Sequence, residues 1–318
     1  MKPLLFALLA MTLLTRSAFA APTESPVTLK VPGGTLYGTL LVPEGKGRFP
    51  VALIIAGSGP TDREGNSGKL AFTDDYKLLA RSLASSGIAT LRYDKRGIGE
   101  SFFPRLKESD LRFEDYVDDA ALWAQRLKSD ARFSRVSIIG HSEGSLIGML
   151  VAQKVPGLGS LVSLEGMGFR LGDTLRTQLR ANPANAPILD EALSTLGALE
   201  NGKTVDRVSP VLMPLFHPSI QPYLMSELKY DPAAEIAKLK LPVLIVQGTH
   251  DIQVSTNDSK RLSAALPAAQ VSVIDGMNHI LRDTPSEMMA NYATYSQPSL
   301  PLSAKLVPAI SAFLLASK

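Results

Sequence analysis

Eight short runs of apolar and β-branched residues, separated by stretches with helical spacing, constrain this chain more than any other feature. They cover residues 27–31, 36–42, 51–56, 88–93, 136–139, 161–164, 243–246 and 271–274. The first two flank Pro32-Gly33-Gly34 and read as an antiparallel hairpin. The other six are nearly continuous apolar segments, as strands buried on both faces of a parallel sheet must be. Helical patterns run over residues 74–85, 113–129, 143–154, 257–265 and 303–315. In the second of them Val117, Ala121, Trp123, Ala124 and Leu127 form a core stripe. Strand–helix alternation of this kind requires right-handed crossovers. The predicted class is therefore α/β, a mostly parallel central sheet flanked by helices.

One stretch breaks the rhythm. Residues 170–231 carry no strand pattern and read as short helices punctuated by Pro183, Pro187, Pro210, Pro214, Pro218 and Pro222. A structureless loop of that length does not fit inside a compact domain. A helical cap inserted between two halves of the sheet is expected. The core domain would then comprise residues 21–169 and 232–318.

At the amino terminus, Lys2 precedes an apolar run over residues 4–14 and the small-x-small end Ala18-Phe19-Ala20. This describes a secretory signal over residues 1–20 and predicts an exported protein, periplasmic or secreted. The run is too short to span a bilayer, which takes about 20 apolar residues. The chain has no cysteine, which excludes disulfides, thiolate metal sites and cysteine nucleophiles. Loss of Lys2 and Arg16 with the signal lowers the formal charge from +3 to +1. A balance so near zero gives no basis for nucleic acid or an anionic membrane as partner.

The chemistry is concentrated in Gly140-His141-Ser142-Glu143-Gly144. With this glycine and serine content a chance G-x-S-x-G has odds of about one in six, so the pattern alone decides little. A strand before it and a helix after it decide it. Such a sharp turn lifts the Ser142 hydroxyl off the sheet and gives it free helix N–H groups. A serine needs a base to take its proton, and acid and base follow an elbow serine in that chain order, each just past a strand end. Asp251, after the strand ending near Gly248, and His279, after residues 271–274, meet that requirement. Asp275 competes for the acid role, but four residues before His279 it would strain a direct bond. His141 points away on an elbow turn, His250 occupies a loop-spacer position, and His217 reads as a surface residue of the cap. Gly57-Ser58-Gly59-Pro60 follows an early strand, where a second oxyanion donor belongs, so the backbone N–H groups of Ser58 and Glu143 are the candidate donors. Asp94-Lys95-Arg96-Gly97 reads as structural, with Asp94 and Arg96 pairing locally. Asp62, Arg63 and Asn66 are candidates to brace the oxyanion loop.

Taken together, GSGPTDREGN over residues 57–66, YDKRGIGES over 93–101, GHSEG at 140–144, LIVQGTHDIQV over 244–254 and GMNH at 276–279 resemble bacterial α/β-hydrolase carboxylesterases of the serine-aminopeptidase-like branch. The likeness runs from about Val27 to Lys318. It implies the α/β-hydrolase fold and no metal or organic cofactor. It also implies a small-molecule ester as substrate, with Ser142, Asp251 and His279 as nucleophile, acid and base and Ser58 and Glu143 at the oxyanion.

Two other functions remain open at this level. An exported peptidase or aminopeptidase would need an acid to hold a substrate amine, for which Glu191, Glu200 or Glu227 of the cap are candidates. A binding protein without catalysis on the same scaffold is the other. In the cap, Leu212, Met213, Leu215, Phe216, Tyr223, Leu224 and Met225 either line an apolar pocket or form the cap's own core.

Overall fold

Each of the eight apolar runs forms a strand: β1 (Thr23–Val31), β2 (Gly34–Val42), β3 (Phe49–Ile55), β4 (Ala89–Tyr93), β5 (Phe133–His141), β6 (Leu161–Leu164), β7 (Val243–Gly248) and β8 (Gln270–Ile274). They belong to one sheet of order β1-β2-β4-β3-β5-β6-β7-β8, in a computed structural model that describes residues 22–68 and 71–317. The export signal expected over residues 1–20 lies outside the described residues. β1 and β2 pair as the antiparallel hairpin and β2 joins β4 antiparallel; from β4 onward every pairing is parallel.

The side-chain period of two explains the layers. Along β3 and the residue after it, Val51, Leu53 and Ile55 face one core while Ala52, Ile54 and Ala56 face the other. Helices α2 (Phe113–Ser129), α3 (Glu143–Lys154) and later α9 (Thr256–Ala265) cover the first face. Helices α1 (Asp75–Ser85) and α11 (Leu306–Ala316) cover the second. The exception is β8. It is an edge strand whose Val271 and Val273 are exposed, so burial on both faces does not extend to it.

Between β6 and β7 the chain is helical: α4 (Leu171–Ala181), α5 (Leu189–Glu200), α6 (Met213–Phe216), α7 (Gln221–Glu227) and α8 (Pro232–Ile236). Leu179, Leu196, Leu199, Leu212, Phe216 and Leu228 form a third hydrophobic cluster belonging to this segment. A short α10 (Met288–Ala293) precedes α11. Among the described residues no helix is long and apolar enough to cross a membrane.

Candidate active site

Ser142 stands between β5 and α3 with φ 55° and ψ −123°, a backbone conformation that L residues avoid. The flanking glycines allow it. A Cβ on Gly140 would lie 2.1 Å from the Gly144 carbonyl oxygen, and one on Gly144 would lie 2.3 Å from that of Ile55. The strand therefore turns directly into the helix, and the Ser142 side chain opens on two cavities above the strand ends. Gly148, one turn further along α3, packs against Leu161 and Ile138, where a Cβ would come within 3.0 Å.

His279 follows β8 and is nearly buried. Its Nδ1–H donates to Asp251 Oδ2 at 2.7 Å, which leaves Nε2 as the acceptor. His279 and Ser142 line the same cavity, of ≈ 330 Å³. Asp251 follows β7, and its other oxygen accepts the N–H groups of Gln253 (2.7 Å) and Val254 (2.9 Å). Burial alone would raise this carboxyl. The facing His279, with its hydrogen bond and those from Glu165 and Val254, outweighs burial and holds it below the usual range. Asp275 is elsewhere, accepting a hydrogen bond from Thr249 Oγ1.

Sequence reasoning missed Glu165. It lies immediately past β6, at positive φ and 0% exposed, with Oε1 accepting the Gly248 N–H at 2.8 Å and Oε2 the amide of Gln247. The same Gln247 amide reaches Asp251 Oδ2 at 3.5 Å. Burial and then the Asp251 charge push the Glu165 carboxyl well above its ordinary value, which favours its neutral form behind Asp251. Its place at a strand's carboxyl end was the available signal.

His141 does point away from the serine. Its Nε2 meets the His279 carbonyl oxygen at 2.8 Å and must donate there; its Nδ1 then accepts from Tyr76 O–H at 2.7 Å. Tyr76 in turn accepts the Gly57 N–H at 3.1 Å. This chain ties the segment after β3 to the backbone of His279 and needs a neutral ring. Burial, then the His279 charge, lower the His141 pKa from 6.5 to about 3. Above pH 6.5 the ring is neutral whether folded or unfolded and adds nothing to the pH dependence. Below it the unfolded chain binds a proton that the folded chain refuses, so stability is lost as pH falls toward 3. The loss by pH 4 is on the order of 3 kcal/mol. Denaturant unfolding of wild type and His141→Gln from pH 7 to pH 4 should show wild type losing its stability advantage by about that amount. An unchanging gap would refute the neutral ring.

The loop after β3 places Ser58 beside Ser142 and Glu143 in a cavity of ≈ 960 Å³. Asp62 closes this loop by accepting the N–H groups of Glu64 and Asn66, both at 2.9 Å. The expected pairing of Asp94 with Arg96 does not occur. Asp94 instead accepts from the Arg63 guanidinium and backbone N–H at 2.8 Å each. Arg96 makes a two-pronged contact with Asp119 of α2, at 2.6 and 2.7 Å. Arg63 and Asp119 each supply two hydrogen bonds, fuller than a local pair would give.

From the cap, Leu215, Tyr223 and Leu224 line the large cavity. Leu212 and Phe216 belong to the cap's own core, with Met213 and Met225 packed against it. Of the three cap acids, only Glu227 reaches the cavity. Glu191 accepts the Ser209 N–H and Glu200 pairs with Arg176. His217 is exposed and contacts Ser219, while His250 Nδ1 donates to the Thr284 carbonyl.

Residues 67–189 match the family model "Serine aminopeptidase, S33". Esterase EstD of Thermotoga maritima is 30% identical over 264 residues, which covers 80% of this chain and 61% of that protein. The chain thus spans about three-fifths of the length of this curated relative. Among solved structures, Est1E from Butyrivibrio proteoclasticus with bound ferulic acid superposes with a TM-score of 0.61 at 18% identity, covering 92% of this chain and 98% of that one. A proline iminopeptidase from Mycobacterium smegmatis gives 0.59 at 17% identity, with the same two coverages. At such identities these structures speak to the fold alone.

Proposed function

The chain belongs to the α/β-hydrolases, and from that premise we propose that it is a carboxylesterase working through an acyl-enzyme on Ser142. The observation that carries this reading is the strained elbow serine opening on the same cavity as a histidine already held in the right tautomer by Asp251. In the proposed cycle Ser142 Oγ attacks the ester carbonyl carbon while His279 Nε2 takes its proton. The negative charge on the carbonyl oxygen rests on the N–H groups of Ser58 and Glu143. Collapse breaks the bond to the alcohol, which leaves with the proton from His279. Water then attacks the acyl-enzyme by the same route, releasing the acid and restoring Ser142.

The cavity of ≈ 960 Å³, with Leu215, Leu224 and Phe103 on its wall, suits an ester with a sizeable apolar portion. A panel of nitrophenyl esters of graded acyl length, run beside aminoacyl arylamides, tests this. Esters should turn over at least about 100-fold faster in kcat/KM, because an amide's poorer leaving group needs protonation and positioning that the site would have to supply. Arylamides as the better substrates would replace esterase by peptidase.

The peptidase reading has one specific support: Glu227 of the cap lies buried against Glu143 at the cavity, where a substrate amine would find an acid. The reading as a binding protein without catalysis fails if a fluorophosphonate labels Ser142. Export is likewise proposed, on the pattern of residues 1–20. Intact-mass measurement of the protein recovered outside the cytoplasm should give a mature start near Ala21.

A further inference from the structure

We propose that Lys95 is a positioning residue for both halves of the oxyanion hole, an inference that rests on the esterase reading of Ser142. Lys95 follows β4 and is 1% exposed. Its ammonium donates to the Gly57 carbonyl oxygen at 2.5 Å and lies 3.4 Å from Glu143 Oε2. β3 lies between β4 and β5 in the sheet, so the side chain reaches across the end of β3 to the start of α3.

Those two partners are significant because of what they are bonded to. The Gly57 carbonyl belongs to the same peptide unit as the Ser58 N–H. In a planar trans peptide the two point in opposite directions, so gripping the oxygen fixes where the N–H aims. A charge-assisted hydrogen bond on the oxygen also polarises the unit and makes its N–H a stronger donor. Glu143 carries the other candidate N–H, at the first turn of α3. Its carboxylate is anchored by Lys95 on one oxygen and by the Tyr223 hydroxyl, at 2.6 Å, on the other. One buried cation therefore holds both donor-bearing segments in a fixed mutual geometry.

The surroundings hold the ammonium in one place. The ammonium lies over the face of Tyr116, 4.9 Å from the ring centroid. Glu227 of α7 faces the same charge from the cap. The cost of burying an ammonium is offset only when it is fully partnered, and here a carbonyl, a carboxylate and a ring face partner it. Methionine is one heavy atom shorter than lysine but keeps the apolar stem, so replacing Lys95 by it removes the charge and its hydrogen bonds with little loss of packing.

The test uses Lys95→Met with a nitrophenyl ester and with a reversible boronate that mimics the tetrahedral state. The expected result is a kcat loss of about 10–100-fold with KM within about twofold, since a misaimed donor is felt only where charge develops. Boronate affinity should fall by the same factor as kcat/KM. A lowered melting temperature with unchanged kcat would overturn the proposal, as would a loss confined to KM. If Lys95→Met does not fold, Lys95→Gln replaces it: the amide keeps one donor for Gly57 and should lose less kcat at constant KM. Wild-type kcat in that variant overturns the proposal too. Wild-type and Ser142→Ala run alongside separate the two readings. An active wild type with a dead Ser142→Ala keeps the esterase reading whatever Lys95 does, and a wild type inactive toward every ester overturns both.

Discussion

Ser142→Ala is expected to lower kcat by about 10⁶-fold while leaving the fold and its stability unchanged. The size follows from what the hydroxyl does in the proposed cycle: without it no acyl-enzyme forms, and only water held in the cavity remains as nucleophile. The neutrality toward folding follows from the geometry. The elbow's strained conformation is enforced by close contacts at Gly140 and Gly144, not by the Ser142 side chain, which has no side-chain hydrogen bond to cap its helix. Alanine has the same Cβ and accepts the same backbone. Steady-state hydrolysis, fluorophosphonate labelling and thermal unfolding check the three parts of this expectation. Activity persisting near the wild-type level would remove Ser142 from the chemistry.

The second large effect is expected at Asp251. Asp251→Asn should lower kcat by about 10⁴-fold, roughly 5.5 kcal/mol of transition-state stabilisation. Asparagine is nearly isosteric, so the argument rests on hydrogen-bond polarity. The oxygen facing Gln253 and Val254 must remain an acceptor, because both of those groups are N–H donors. The asparagine NH₂ is therefore forced toward His279 Nδ1, which then has to accept. The imidazole proton moves to Nε2, and the ring can no longer take a proton from Ser142. Asp275→Asn should leave kcat within about twofold, since that carboxylate serves Thr249. The opposite pattern in a paired kinetic comparison of the two variants would reassign the acid.

Glu165 gives the site a feature with few sequence cues. A carboxyl pushed toward its neutral form by burial can donate to Asp251 and help keep that residue ionised, whereas a second carboxylate would repel it. Nothing in Ser163-Leu164-Glu165-Gly166 states its protonation state. That depends on complete burial and on the nearness of Asp251, 86 positions away in the chain, and both are products of folding.

Lys95, Asp94 and Arg96 show the same boundary in another way. Read locally, neighbouring opposite charges on a glycine-rich turn should pair. In the structure they part, and each finds a partner far away in the chain: Arg63 for Asp94, Asp119 for Arg96, Gly57 and Glu143 for Lys95. Local proximity in sequence is a poor guide where the alternative is a charge-assisted hydrogen bond shielded from water.

What the sequence determined by itself was everything governed by local periodicity and by backbone chemistry. The strands, the long helices, the glycines that permit an elbow at Ser142 and the placement of Asp251 and His279 past strand ends were all legible, because each depends on a few neighbouring residues. Tertiary structure alone decided the rest: which cap acid reaches the cavity, which partners Asp94, Lys95 and Arg96 take, and which buried carboxyls are pushed up or held down. Those outcomes turn on desolvation and on contacts between segments far apart in the chain, and neither exists until the sheet has closed around them.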